Sequence, residues 1–151
     1  MECTFRTILA AVDGSPRAAG VAHTAFEIAA RFGGTVHLYR AIEMPPDLAA
    51  AGANQPDTLQ PFLEQRVRRE LEALGAGKPD AVMEPPAVLH GQPWRDILAT
   101  AQRLNADLIV IGSHGYGGWD RVLGTTTSKV ALHADRCVLV VHEPQDGQRK
   151  L

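Results

Sequence analysis

The sequence predicts an α/β fold, in which a single doubly wound parallel sheet carries helices on both faces. Short, continuous apolar runs alternate with segments of helical period from one end of the chain to the other. Continuous rather than alternating apolar runs are typical of strands that are buried on both faces. A chain of 151 residues with 45% hydrophobic residues has the size and core content of one domain. We therefore expect one domain over residues 1–151 with five parallel strands.

The first strand and helix have the clearest boundaries. The run 7–12 is continuously apolar after its threonine and predicts the first strand. Ser15 suits the N-cap of the following helix and Pro16 its first position, because the missing proline N–H would have no partner there. The glycine pair 33–34 predicts the end of this helix. The second strand is then predicted over 35–42.

The central part of the chain is less regular. Residues 43–56 are rich in Ala, Gly and Pro and show no clear period, so we expect a mobile surface segment. Apolar residues at helical spacing predict a helix over about 57–74. A weaker apolar run predicts the third strand over Ala87–His90, and a further helix follows it.

The C-terminal part contains the most apolar strand of the sequence. Residues 107–111 predict a fourth strand that ends in a glycine-rich loop. A short helix over about 125–134 and a last strand over 137–141 complete the pattern. The polar residues 143–151 are expected to be frayed.

Composition excludes several classes of partner. Lys and Arg number 15 against 17 Asp and Glu, and a net charge of −2 lacks the positive field on which nucleic-acid binding depends. No stretch approaches the roughly 20 apolar residues that a membrane-spanning helix needs. The first residues show no apolar run of a signal peptide, so a cytoplasmic protein with reduced Cys3 and Cys137 is expected. No cysteine and histidine spacing indicates a metal site.

The loop after the fourth strand carries the strongest functional pattern. It contains Gly112, Gly115 and the pair 117–118, and a second group, Gly124-Thr125-Thr126, begins the next helix. Glycines let backbone amides approach a ligand closely, and amides at a helix start favour an anion such as phosphate. The hydroxyls of Ser113, Thr125 and Thr126 would add donors. The alternative is a flexible turn before an ordinary helix, but the position at the end of a buried strand favours the anion site.

Two further residues are candidates for this site. Asp13 follows the first strand and could accept hydrogen bonds from an adenine amino group or a ribose hydroxyl; an Asx turn that starts the first helix is the other interpretation. His114 could hydrogen-bond a phosphate, and without a neighbouring carboxylate or nucleophile it is better interpreted as a polar contact than as a catalyst. No catalytic residue is predicted. Neither a P-loop motif nor a G-x-G-x-x-G motif occurs.

Four stretches together resemble the universal stress protein family, and in particular its ATP-binding subgroup. These stretches are Ile8–Ser15, Gly91–Pro93, Ala106–Gly115 and Cys137–Val141. ATP-binding members carry G-x2-G-x9-G followed by Ser or Thr. Gly112 and Gly115 match the first pair and Gly124-Thr125 the last, with eight intervening residues here instead of nine.

The resemblance implies a five-stranded parallel sheet of order 3-2-1-4-5, similar to the adenine-nucleotide alpha-hydrolase fold. It implies ATP, with or without Mg²⁺, or AMP or ADP as the ligand. Adenine and ribose contacts are then expected at Ala11, Asp13 and Ala41. Phosphate contacts are expected at Gly112, Gly115, Gly124, Thr125 and Thr126, with Ser113 and His114 as further polar contacts. Family members commonly form homodimers along the last strand, here Val138–Val141, and pairing would cover an aggregation-prone edge.

Three hypotheses of function follow. The first is a regulatory protein that binds ATP at the ends of the first and fourth strands, orders residues 43–56 and presents a surface to protein partners. The second is a nucleotide-free dimeric interaction module. The third is a slow ATP hydrolase, for which the sequence supplies no convincing base or metal-binding pair of carboxylates.

Overall fold

The computed structural model describes residues 4–44, 47, 56–89, 92–113 and 123–142. The strands are β1 (Thr7–Ala11), β2 (Thr35–Tyr39), β3 (Ala41–Glu43), β4 (Ala81–Met83), β5 (Ala87–Leu89), β6 (Leu108–Gly112) and β7 (Cys137–Val141). The helices are α1 (Ala18–Phe32), α2 (Pro56–Gly75), α3 (Pro93–Arg103) and α4 (Thr125–His133).

Five of these strands form one parallel sheet in the order β4-β2-β1-β6-β7. Counted along the chain within this sheet, the order is 3-2-1-4-5, so the predicted topology is confirmed. The central strand β1 pairs with β2 and β6, and its residues Ile8, Leu9 and Ala10 are fully buried. A strand covered on both faces needs apolar side chains in both directions, which explains the continuous apolar run.

The two faces of the sheet carry separate cores. Ile8 and Ala10 of β1 face the core that packs against α1 and α2. Leu9 and Ala11 face the opposite core, which packs against α3 and α4. Because successive side chains of a strand point to opposite faces, one short run serves both cores. The prediction of helices on both faces is therefore confirmed.

The predictions for the second and third strands were wrong in their boundaries. The second strand does not run from 35 to 42, because β2 ends at Tyr39. The Tyr39 carbonyl accepts a hydrogen bond from the N–H of Val12, the residue directly after the end of β1 (2.9 Å). After Arg40 the chain forms β3, which pairs with β5 in a separate two-stranded sheet. The described part of the predicted third strand over 87–90, which is β5, therefore lies outside the main sheet, whose third strand is β4.

Other boundaries differ less. The helix α1 begins at Ala18, not at Pro16, because the preceding residues form a turn, whereas Gly33 ends it with φ +64° as predicted. The segment 43–56 is shorter than expected, since residue 43 belongs to β3 and residue 56 to α2. Positions 45–46 and 48–55 of that segment, and the tail 143–151, lie outside the described residues.

The longest described helix, α2, has 20 residues and many charged side chains. Within the ranges that the structure describes, none of the helices combines the length and the apolar character required to cross a bilayer. The same ranges contain no group of three or more His, Cys, Asp or Glu side chains arranged to hold a metal ion.

Candidate functional site

A cavity of about 550 Å³ opens at the carboxyl ends of β1, β2 and β6. The strand order reverses here, because the chain places β2 on one side of β1 and β6 on the other. Open α/β sheets bind ligands at this switch point, and the volume lies in the range of small-molecule sites.

The floor of the cavity is a row of three residues on adjacent strands. Ala11 of β1 lies in register with Tyr39 of β2 and with Ile111 of β6, and all three line the cavity. They face the core that packs against α3. The small side chain of Ala11 between two large ones leaves room above the sheet, so this position shapes the cavity.

The side of the cavity at β6 and α4 is built from short residues. Its lining comprises Gly112, Ser113, Leu123, Gly124, Thr125, Thr126 and Thr127. A Cβ on Gly112 would lie 3.2 Å from Cγ2 of Val21, so glycine suits this close approach. Thr127 is 1% exposed, and its hydroxyl donates a hydrogen bond to the Gly112 carbonyl (2.7 Å). This bond holds the start of α4 against the end of β6.

The first turn of α4 gives this side a positive potential. The first intrahelical bond runs from Ser128 N–H to the Gly124 carbonyl (2.9 Å). The amides of residues 125–127 come before it, where helix geometry provides no acceptor. Gly124 is the N-cap and has no side chain to cover these amides. With the helix dipole, they favour an anion.

The loop after β1 brings a carboxylate to the cavity. Asp13 lines it, and Asp13 Oδ1 accepts hydrogen bonds from the Ser15 amide (2.9 Å) and the Ser15 hydroxyl (2.5 Å). This is the geometry of an Asx turn, so that interpretation of Asp13 describes its local role. The same carboxylate is nevertheless part of the cavity wall.

The side of the cavity at β2 carries a cation. Arg40 lines the cavity, is 22% exposed and donates a hydrogen bond from Nη1 to Glu70 of α2. Glu70 also accepts from Arg66 Nε (3.2 Å). A Cβ on Gly14 would lie 2.5 Å from Nη2 of Arg40, so the guanidinium packs directly against the glycine backbone.

Two polar contacts fix α3 as the remaining wall. The buried Tyr39 hydroxyl donates a hydrogen bond to Asp96 in the first turn of α3. Burial, followed by this bond and the nearby negative charge, raises the pKa of the Tyr39 hydroxyl far above its usual value. The phenol therefore remains a neutral donor.

At the other end of α3, Arg103 donates from Nη2 to Oε2 of the buried Glu84 (2.7 Å). His37 Nδ1 lies 2.7 Å from Glu84 Oε1. Burial alone would raise the pKa of the Glu84 carboxyl, but the hydrogen bonds from Arg103 and His37 lower it below its ordinary value. Glu84 is thus a charged link between the sheet and α3.

Eight of the ten residues that the sequence indicated as binding residues line this cavity. They are Ala11, Asp13, Ala41, Gly112, Ser113, Gly124, Thr125 and Thr126. The other two, His114 and Gly115, lie outside the described residues. Sequence reasoning missed Arg17, Tyr39, Arg40, Glu43 and Thr127, which also line the cavity. One signal for Arg40 was available in the sequence, because it is a charged residue directly after an apolar run. The strand predicted over 35–42 included it, so Arg40 was not predicted to lie at a strand end.

These features define a doubly wound α/β protein with a cavity at its switch point. The universal stress protein family model matches residues 4–142, and the chain therefore belongs to the universal stress protein family. Universal stress protein A homolog 1 of Coxiella burnetii is 32% identical over 136 residues, which cover 88% of this chain and 92% of that protein.

Solved structures agree with this assignment. The universal stress protein UspA from Lactobacillus plantarum has a TM-score of 0.67 and 26% identity, with 91% of this chain and 98% of that chain covered. A universal stress protein in complex with cAMP has a TM-score of 0.62 and 25% identity, with coverage of 92% and 98%. The fold is thus shared along almost the entire chain.

Proposed function

We propose that this protein binds an adenine nucleotide, ATP, in the cavity between β1, β6 and α4 and acts as a nucleotide-dependent regulator in a stress response. The observation that carries the proposal is the meeting of Gly112, Ser113 and the 124–126 segment around one cavity of nucleotide size. A similar universal stress protein has been solved with cAMP, which supports an adenine nucleotide as the ligand class.

The proposed binding mode follows the polarity of the cavity. The phosphates lie at the first turn of α4, where the backbone amides and the hydroxyls of Thr125 and Thr126 donate to them. The adenine and ribose occupy the hollow above Ala11, between Asp13 and Ala41. Gly124 and Thr125 line the cavity even with eight residues, rather than nine, after position 115. Their place in the lining supports the proposal despite the shorter spacing.

Titration calorimetry with ATP and magnesium tests the proposal. The double variant Thr125→Val and Thr126→Val should weaken ATP binding by about tenfold, because it removes two hydroxyl donors while keeping the side-chain size. Thr24→Val is a matched control, since Thr24 bonds to the Gly20 carbonyl within α1 (2.9 Å) away from the cavity. A folded wild-type protein that binds no nucleotide at millimolar concentration would contradict the proposal and favour a nucleotide-free interaction module.

We also propose a homodimer through β7. Ser113 N–H donates to the Val141 carbonyl (2.9 Å), so the backbone groups of Val141 point towards β6. Because these groups alternate in direction along a strand, those of Val138 and Val140 point away from β6. Leu139 of this strand is 36% exposed and Leu132 of α4 is 77% exposed. An unpaired apolar edge of this kind favours pairing with a second copy.

Light scattering at defined protein concentration tests the dimer. Leu139→Lys should shift the mass from dimer to monomer, because it places a charge in the apolar contact. Phe62→Lys on α2 is the control, since Phe62 is 61% exposed on a helix that contacts β4, the strand at the opposite edge of the sheet from β7. A wild-type protein that is monomeric at high micromolar concentration would refute the dimer.

A further inference from the structure

Arg40 marks a second polar end of the cavity, away from the start of α4. It follows β2, whereas Gly112 ends β6, and β1 lies between these two strands. Neighbouring strands are about 4.8 Å apart, so the ends of β2 and β6 are separated by about 10 Å. This separation is comparable with the span from the phosphates to the base of a nucleotide.

The Arg40 guanidinium is held in place before any ligand arrives. Glu70 accepts a hydrogen bond from Nη1, and the Gly14 backbone lies directly against the guanidinium. Glu70 is itself held by Arg66 one turn earlier on α2. A guanidinium that is fixed in this way loses little conformational freedom when it binds a further group.

We infer that Arg40 contacts the base of the bound nucleotide and that Glu70 positions Arg40 for this contact. The inference rests on the proposed function, since it assumes that phosphates lie at the α4 end. An arginine side chain only donates hydrogen bonds, and its planar group also stacks on aromatic rings. A purine offers ring nitrogens as acceptors and a flat face, so it suits the partner of Arg40.

A comparison of two ligands tests this contact. ATP and inorganic tripolyphosphate share a triphosphate chain, and only ATP has a base. Arg40→Ala should weaken ATP binding by about tenfold, the effect of one lost charge-assisted hydrogen bond, and should change tripolyphosphate binding by less than about twofold. Arg69→Ala, which removes the same charge from an exposed position of α2, should change neither affinity.

Glu70→Gln tests the positioning role. It should weaken ATP binding by about threefold in the wild-type background and have no further effect in the Arg40→Ala background, because it acts through Arg40. A purely structural role for Glu70 would instead weaken both ligands in both backgrounds. Arg40→Lys serves as the test variant if Arg40→Ala does not fold. It keeps the charge but lacks the planar group, so its affinity should fall for ATP and not for tripolyphosphate.

The results separate this inference from the proposed function. Equal losses for ATP and tripolyphosphate would place Arg40 at the phosphates and overturn the base contact. An Arg40→Ala protein with unchanged ATP affinity would overturn it as well, and the proposed function would stand. A wild-type protein that binds neither ligand would overturn both.

Discussion

The two sides of the cavity differ in how the sequence builds them. The side at β6 and α4 consists of glycines, hydroxyl residues and backbone amides that come from one stretch, 112–127, although the part between 113 and 123 is not described. The side at β2 contains Arg40 and Gly14, and Glu70 of α2 holds Arg40; these three residues come from separate parts of the chain. A local stretch can be recognised from its letters, whereas a contact between distant residues becomes visible only in the folded chain.

The two sides also differ in their adaptability. The Thr127 bond to the Gly112 carbonyl is buried and joins a helix to a strand. The Arg40–Glu70 pair is partly exposed, with 22% and 40% of the side chains accessible. Exposed ion pairs contribute little to stability, whereas buried hydrogen bonds are costly to break. We therefore expect loss of the Thr127 bond to change both folding and binding, and substitutions at Arg40 to change mainly binding.

The largest effect is expected for Thr127→Val. It keeps the shape of the side chain but leaves the Gly112 carbonyl without its hydroxyl donor, so the free energy of unfolding should fall by about 1–3 kcal/mol. ATP binding should weaken as well, because the start of α4 is no longer held against β6. Urea unfolding and calorimetry measure the two effects. Thr125→Val, at an exposed position, should change the stability by less than about 0.5 kcal/mol.

A second large effect is expected for Glu84→Gln, with a dependence on pH. Hydrogen bonds from Arg103 and His37 lower the pKa of Glu84 in the folded protein below the ordinary value of 4.5. The stabilisation is therefore fully present above about pH 4.5 and is lost as the pH falls through the folded pKa. At pH 7 the variant should be less stable by about 1–2 kcal/mol.

Urea unfolding at pH 7 and pH 3 measures this difference. The difference in stability between wild type and Glu84→Gln should narrow at pH 3, because below about pH 4.5 the unfolded wild type binds the Glu84 proton more readily than the folded protein does. Glu72→Gln, at an exposed position of α2, should show no such change. A gap that is independent of pH would mean that the Glu84 charge does not contribute to stability.

The fold could be predicted from the sequence wherever a strand is covered on both faces. β1 and β6 are buried apolar runs, and their order in the sheet was predicted through the family resemblance. β4 could not be predicted, because it is a three-residue edge strand whose Val82 and Met83 are 39% and 40% exposed. Its three apolar residues form a run as short as that of the nearby Ala87–Leu89, so the residue types do not distinguish the two segments, and the third strand is predicted over 87–90 instead.

The candidate site divides in the same way. Gly112, Gly124 and Thr125 could be predicted because their residue types and spacing carry the chemistry of an anion site. Arg40 could not be predicted, since its proposed role depends on Glu70, a residue of α2 that lies 30 positions further along the chain. The break between β2 and β3, which turns Arg40 towards α2, has no signal in the residue types.

A smaller effect, confined to binding, is expected for Gly14→Ala. Its Cβ would lie 2.5 Å from Arg40 Nη2, so the guanidinium must move. Because the end of a long side chain moves at little cost, stability should change by less than about 1 kcal/mol, whereas ATP affinity should fall by up to tenfold, as in Arg40→Ala. In the Arg40→Ala background the same substitution should have no effect on affinity. A loss that persists there would mean that Gly14 itself contacts the ligand.

The smallest effect is expected for the free energy of coupling between Arg40 and Glu70, measured by unfolding. A double-mutant cycle with Arg40→Ala and Glu70→Ala should give about 0.5 kcal/mol at low ionic strength, since both side chains are partly exposed. The coupling should decrease further in 1 M salt, where charges are screened within about 3 Å. A coupling above about 2 kcal/mol would show that this pair is as firmly built as the Thr127–Gly112 bond. The two sides of the cavity would then be equally rigid. Substitutions at Arg40 would change the stability as well as ATP binding, contrary to the expectation that they change mainly binding.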